Sequence, residues 1–204
     1  MEAMRAASPW RMTSARIARL AGGLYFFTLL SSALLEWLLP GKMDLTAGLI
    51  EIAGMSAVTI AIYFLFKAVK MSLSMLAAAC NFAGIALEAA KLQSHGTDIA
   101  MIFHGAFCIL IAWLIFRSAF LPLFLSRLIG VAGLAWLTYG FPPLAVALAP
   151  WNLIVGLAGE ASVFLWLLAM GVNERPGNER GRRVGLFGGR EHRPADGAAS
   201  APAE

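Results

Sequence analysis

The chain has 204 residues, of which 59% are hydrophobic and 14% charged, and it carries a net charge of +4. A mean hydropathy of +0.73 excludes a soluble domain of ordinary composition. The positive balance does not point to nucleic acid, because the basic residues sit at helix ends and in the tails rather than on one folded face.

Taken in order, the chain opens with a basic segment over residues 1–16 that includes Arg5, Arg11 and Arg16. The apolar run from Leu20 to Leu39 that follows is longer than a signal-peptide core and has no clear small-residue cleavage site after it, so it reads as a retained helix. A spanning helix needs roughly 20 mostly apolar residues. Six windows supply them, near 18–39, 45–66, 71–91, 98–118, 122–142 and 151–172, within a transmembrane domain over 17–173. Turn chemistry falls between them at Pro40-Gly41, at Ser94-His95-Gly96, and at Pro142, Pro143 and Pro150. The fifth window is the shortest: its uncharged part, Leu128 to Phe141, rises only about 21 Å, so it needs Pro122 in its first turn and Arg127 snorkelling to the interface. Residues 174–204 turn to Gly, Pro, Ala, Glu and Arg, a composition expected to stay disordered.

The expected fold class is therefore all-α, a polytopic membrane bundle of six transmembrane helices. If the chain threads back and forth through these windows, all of the 16 Lys and Arg except Lys42 and Lys91 fall on one side. Positive residues favour the cytoplasmic side, which predicts a plasma (inner) membrane protein with both termini cytoplasmic, N-in/C-in. The bilayer is the expected partner, with anionic lipid contact by the arginine-rich tail and no nucleic acid. A homo-oligomer or a protein partner stays open, since Gly130, Gly133, Gly156 and Gly159 allow close helix contacts within one chain or between chains.

With that orientation, the ionisable residues inside the spans gather in the middle and outer part of the bilayer: Glu36, Glu51, Glu88 and His104, with Glu160 deepest. An ionised group at the bilayer centre costs on the order of 2.5–3.5 kcal/mol on insertion scales, so such groups face a bundle interior or a wet cavity. Helical spacing agrees. Ser74, Asn81 and Glu88 share one face of the third span with Ala77, Ala78 and Gly84; Tyr25, Thr28, Ser32 and Glu36 share a face of the first; Asn152, Gly156 and Glu160 align on the sixth. The candidate ligand or proton site is Glu160, Glu51 and His104, joined by Asn81, Glu36 and Glu88. The competing reading is that each carboxylate ties two helices together.

Metal chemistry has thinner support. His104 and Cys108 stand four residues apart and could both face one ion, with Glu51 or Glu160 completing the shell, but a zinc site usually recruits several His or Cys ligands, so no metal and no other cofactor is expected. The cysteines, Cys80 and Cys108, sit mid-span and read as small hydrophobes rather than a disulfide pair. No GxSxG elbow or His/Asp spacing accompanies the serines, so no catalytic residue is predicted. Three function classes remain. They are binding or transport of a cation, proton-coupled solute or polar lipid; a non-catalytic membrane module for lipid or a partner protein; and a membrane-embedded enzyme on a lipid-like substrate. No internal repeat of the kind common in secondary transporters is visible.

Three blocks carry a family resemblance: "ARIARLAGGLYFFTLLSSALLE", "FRSAFLPLFLSRLIGVAGLAWL" and "GLAGEASVFLWLLAMGV". They resemble a bacterial multi-pass membrane family, domain of unknown function 4386, over roughly residues 15–173. The family's Arg-Ser-x-Phe-Leu-Pro turn is matched by Arg117, Ser118, Phe120, Leu121 and Pro122, and the Gly-containing helix after it by Gly130 and Gly133. Its last helix resembles Gly159-Glu160 followed by Trp166 and Leu167, and Glu36 falls where its first helix ends in an acid. One departure is Leu123, where a basic residue often follows the Pro; Arg127 stands nearby. The resemblance implies six membrane helices and transfers no activity.

Overall fold

A computed structural model describes residues 14–38, 44–90, 97–118 and 121–172, apart from the side chains of Glu36, Asp44 and Leu45. The basic segment up to residue 13 and the tail from residue 173, with their expected disorder and lipid contacts, lie outside the described residues. The helices are α1 (Ser14–Leu38), α2 (Asp44–Phe66), α3 (Met71–Ala89), α4 (Ile99–Arg117), α5 (Leu123–Leu137), α6 (Pro142–Leu148) and α7 (Trp151–Ala169), with a 3-10 turn (Thr138–Gly140) after α5. Among the described residues there is no strand. Six of these segments are long and apolar enough to cross a bilayer: Ser14–Leu35, Thr46–Phe66, Met71–Ala89, Ile99–Arg117, Leu123–Gly140 and Trp151–Ala169. The protein is a multi-pass membrane protein of six helical spans.

Two local features differ from the sequence expectation. The first helix begins at Ser14, so Arg16 and Arg19 already lie in its first turns. The prolines after the fifth span also do more than end it. Pro142 opens the short helix α6, where a missing N–H costs nothing in the first turn, and Pro150 caps α7. Asn152 secures this corner, its amide donating to Thr138 Oγ1 and to the carbonyl of Ala145, both at 3.3 Å. At the start of α4, Asp98 accepts from the backbone N–H of Met101 at 3.3 Å, satisfying one of the donors a helix start leaves open.

Each spanning helix packs against two neighbours, in the order α1, α2, α3, α4, α5, α7 and back to α1, which closes a ring. Neighbours run antiparallel. Gly105 meets Gly133 while Ser126 bonds to Ala112 across α4 and α5, and Tyr25 meets Glu160 while the Gly171 end of α7 lies beside Ala15 of α1. The start of α1 and the end of α7 thus share one end of the bundle. Every Lys and Arg among the described residues (Arg16, Arg19, Lys67, Lys70, Arg117 and Arg127) is placed toward that end by its position along its helix, and it is called the basic end here. The opposite end carries α6.

Ring closure rests on close backbone approach as well as on bulk. A Cβ on Gly133 would come within 2.8 Å of the Gly105 carbonyl oxygen, and one on Gly105 within 2.8 Å of the Gly133 carbonyl oxygen. Only two glycines let α4 and α5 touch there, and in lipid such contact replaces the missing hydrophobic drive between helices. Large side chains outside the ring, among them Phe27, Leu30, Leu134, Trp151 and Leu165, are exposed and contact the lipid tails.

Candidate functional site

The inward faces of the ring divide by height. Toward the basic end they fill the centre with Ala18, Ala21, Ile62, Phe66, Ile111, Leu114, Ile115, Leu125, Phe164 and Leu167, all buried in one apolar cluster. Toward the α6 end they leave a cavity of about 500 Å³ lined by residues of all six spans. Its apolar wall includes Leu29, Ile52, Met55, Ile85, Met101 and Leu157. The ionisable groups among its lining residues are Tyr25, Glu51, Glu88, His104 and Glu160, with neither Lys nor Arg.

Glu160 is the centre of the cavity floor. It sits nine residues into α7, about 13 Å from the helix start, and is 4% exposed. Four side chains from three other helices converge on its carboxyl group. Tyr25 O–H donates to Oε2 at 3.0 Å; His104 Nε2 lies 2.8 Å from Oε1; Trp136 Nε1–H donates to Oε1 at 2.5 Å; and Cys108 Sγ–H donates to Oε1 at 3.5 Å. A carboxylate offers acceptor capacity for several donors at once, which is what allows one acid to be buried among them.

The network continues away from Glu160, and its hydrogens can be assigned by elimination. Thr59 Oγ1–H donates to the Met55 carbonyl at 2.7 Å, so Thr59 Oγ1 accepts from Asn81 Nδ2, at 2.6 Å. That orientation turns Asn81 Oδ1 toward His104 Nδ1, at 3.0 Å. An amide oxygen cannot donate, so Nδ1 carries the hydrogen. One further proton then lies between His104 Nε2 and Glu160 Oε1 and completes the pair, as imidazolium with carboxylate or as imidazole with carboxylic acid.

Packing fixes each member. The Tyr25 ring stacks on Phe164, one turn beyond Glu160, with centroids 4.0 Å apart and planes within 10°. The His104 ring meets Trp136 edge to face at 5.8 Å. Trp136 reaches Glu160 across Gly156, where a Cβ would lie 2.5 Å from the indole Cε2. Gly156 therefore serves the site directly, as the gap through which the indole N–H reaches the acid one turn further along α7.

The sequence-predicted residues separate into three groups. Glu160, His104 and Asn81 meet in one hydrogen-bonded chain. Glu51 and Glu88 line the same cavity higher up and are exposed there; Glu88 stands seven residues beyond Asn81 on α3, about 10 Å nearer the α6 end. The side chain of Glu36 lies outside the described residues. Sequence reasoning did not assign Tyr25 or Trp136 to the acid's shell, nor Thr59 to the chain beyond it; Cys108 entered only as a thinly supported partner of His104 and an acid around one ion. For Trp136 a signal existed, since a buried indole N–H needs an acceptor and the Gly156/Glu160 spacing supplies a gap next to one.

No curated protein and no solved structure matches the chain. Residues 26–171 match the family described as Domain of unknown function (DUF4386), and with most of its length so covered, from within the first span to the end of the sixth, the chain belongs to that family.

Proposed function

We propose that the protein is a membrane-embedded binding protein whose cavity admits a cation and holds it above Glu160. The observation that carries this reading is the charge of the lining. Two carboxylates, Glu51 and Glu88, share the cavity above a His104–Glu160 pair that is neutral overall, and the lining holds neither Lys nor Arg. Low-dielectric walls around charges of one sign focus their field and concentrate counter-ions. A volume of about 500 Å³ is that of a small-molecule site, and an apolar wall with a few convergent polar groups is its usual make-up. The basic end supports an orientation with that end in the cytoplasm of a plasma (inner) membrane protein, which turns the cavity outward. Since the apolar cluster fills the ring beneath the floor, release of a ligand to the other side would require that cluster to open; binding alone does not.

The test compares two ions of the same shape and opposite charge. Tetraphenylphosphonium is expected to raise the melting temperature of the purified protein in detergent and tetraphenylborate to leave it unchanged. The double variant Glu51→Gln/Glu88→Gln, whose side chains lie at exposed positions, should fold and lose the phosphonium response. Equal responses to both ions, or a response unaffected by the double variant, would overturn the reading.

A further inference from the structure

The floor of the cavity carries a ligand set that the network around Glu160 does not by itself require. His104 and Cys108 project from the same face of α4, four residues and about 6 Å of helix rise apart, and Glu160 faces both from α7. The candidate ligand atoms of the three residues all lie within 4.8 Å of one another, with Nε2 2.8 Å and Sγ 3.5 Å from Oε1. Bond lengths of about 2.0–2.3 Å to nitrogen, oxygen and sulfur in a tetrahedral zinc site place ligand atoms roughly 3.3–3.8 Å apart. To reach that spacing His104 Nε2 and Glu160 Oε1 need to separate by about half an ångström, Cys108 Sγ already stands at it from Oε1, and Nε2 and Sγ close from no more than 4.8 Å.

We propose that His104 Nε2, Cys108 Sγ and Glu160 Oε1 form a three-ligand site for a borderline-soft divalent metal ion of the zinc or cobalt class, with its fourth position facing the cavity. The inference rests on the cation reading above and gives that cation a chemistry. The surroundings also fit a metal site, with Trp136 N–H donating to Oε1 beside the proposed metal position. His104 donates Nδ1–H to Asn81 Oδ1, the outer hydrogen bond that orients a ligating imidazole. Asn81 is in turn held by Thr59. Tyr25 donates to the carboxylate oxygen that the metal leaves free, Oε2. A mixed nitrogen, sulfur and oxygen set on three side chains, with one position open, suits zinc or cobalt over calcium or magnesium, which take six or more oxygens or keep their water. Glu51 and Glu88 stand along the approach.

Charge and protons balance. The metal brings two positive charges, and two protons leave to solvent, one from the Cys108 thiol and one from the His104–Glu160 pair. The buried floor keeps its net charge, which matters where an uncompensated charge is costly.

Cobalt(II) is the probe, because a thiolate ligand gives it a near-ultraviolet charge-transfer band and tetrahedral coordination gives intense visible bands. Chelator-treated wild-type protein in detergent is expected to take up one cobalt per chain with both features, and zinc to displace it. Cys108→Ala, which keeps a small apolar group in a buried position, should lose the thiolate band and weaken binding at least tenfold, and His104→Gln should weaken it as much. Magnesium and calcium should not compete. Absence of the thiolate band in folded wild type, or a band that persists in Cys108→Ala, would overturn the metal site. If the phosphonium response survives while cobalt leaves no signal, only the metal inference fails. Silence from both ions removes the cation reading as well.

Discussion

The two halves of the ring are built from the same helices and hold together by different means. Toward the basic end, α1, α2, α4, α5 and α7 present Ala18, Ile62, Leu114, Leu125 and Leu167 to one another, and the centre is solid. Toward the α6 end the same helices stand around an open volume, and what joins them across it is the chain of hydrogen bonds from Tyr25 through Glu160, His104 and Asn81 to Thr59. In lipid an apolar side chain gains little by leaving the surface for the interior, since both are hydrocarbon, so the solid half depends on close contact. The hollow half lacks that contact and depends on polar groups that find partners only in one arrangement. On the proposed cation reading, the difference separates stability from capacity to bind: the solid half can be tightened without touching the cavity, the hollow half cannot.

The largest effect is expected from removing the acceptor on which the hollow half converges. Glu160→Ala leaves the Tyr25 hydroxyl, the Trp136 N–H and the inner edge of His104 without their partner, each buried or nearly so. At roughly 1–3 kcal/mol for each orphaned buried group, a loss of about 4 kcal/mol is expected, read as the shift in a denaturant or thermal unfolding curve in detergent. Glu160→Gln is expected to lose less than half of that. Its amide can keep Oε1 for Trp136 and offer N–H to the Tyr25 oxygen, which then accepts. A Gln variant as unstable as the Ala variant would mean that the negative charge, and not the hydrogen bonding, holds the hollow half.

The contrast between the halves also marks what the sequence could reveal. Spans were legible because length and hydropathy depend only on the bilayer, and the Ser74/Asn81 and Gly156/Glu160 spacings pointed inward because polar side chains avoid lipid. The solid half gave no such sign. Leu114, buried, and Phe116, exposed, lie two residues apart on α4, and nothing in their chemistry separates lipid-facing from core-facing when both surroundings are apolar. Ring closure was hidden for the same reason, since the α1–α7 contact relies on Gly22 admitting the backbone of Phe164 and Leu168, a matter of shape. The short helix α6 escaped because paired prolines signal an end and a beginning equally well. Trp136 escaped as a site residue because its donor is useful only where Gly156 lets it pass.

An intermediate effect is expected in the solid half. Leu114 is fully buried, and Leu114→Ala leaves a void among Leu125, Ile111 and their neighbours. Burial from water drops out of the cost in a bilayer, so the lower end of the usual range applies, about 2 kcal/mol. The phosphonium and cobalt responses, expressed relative to the variant's own baseline melting temperature, should stay as in wild type. A ligand response that fell together with stability would show the two halves to be coupled, and with them a route by which binding above could loosen packing below.

The smallest effect is a gain. Gly48 lines the cavity from α2, and a Cβ added there meets nothing within 4 Å, whereas Gly133 at the α4–α5 crossing would strike backbone. Alanine costs less helix entropy than glycine by about 1 kcal/mol in an exposed helix interior, so Gly48→Ala is expected to raise stability by up to that amount with binding intact. Gly48→Trp then uses the same free space to fill the mouth of the cavity. It should fold as well as wild type and lose the phosphonium response, while a cobalt ion, small enough to pass, still reaches the floor. If both probes are lost together, Gly48 stands on the access route to the floor; if neither is lost, the ligand enters elsewhere, past the α3–α4 side where Glu88 and Ala100 line the opening.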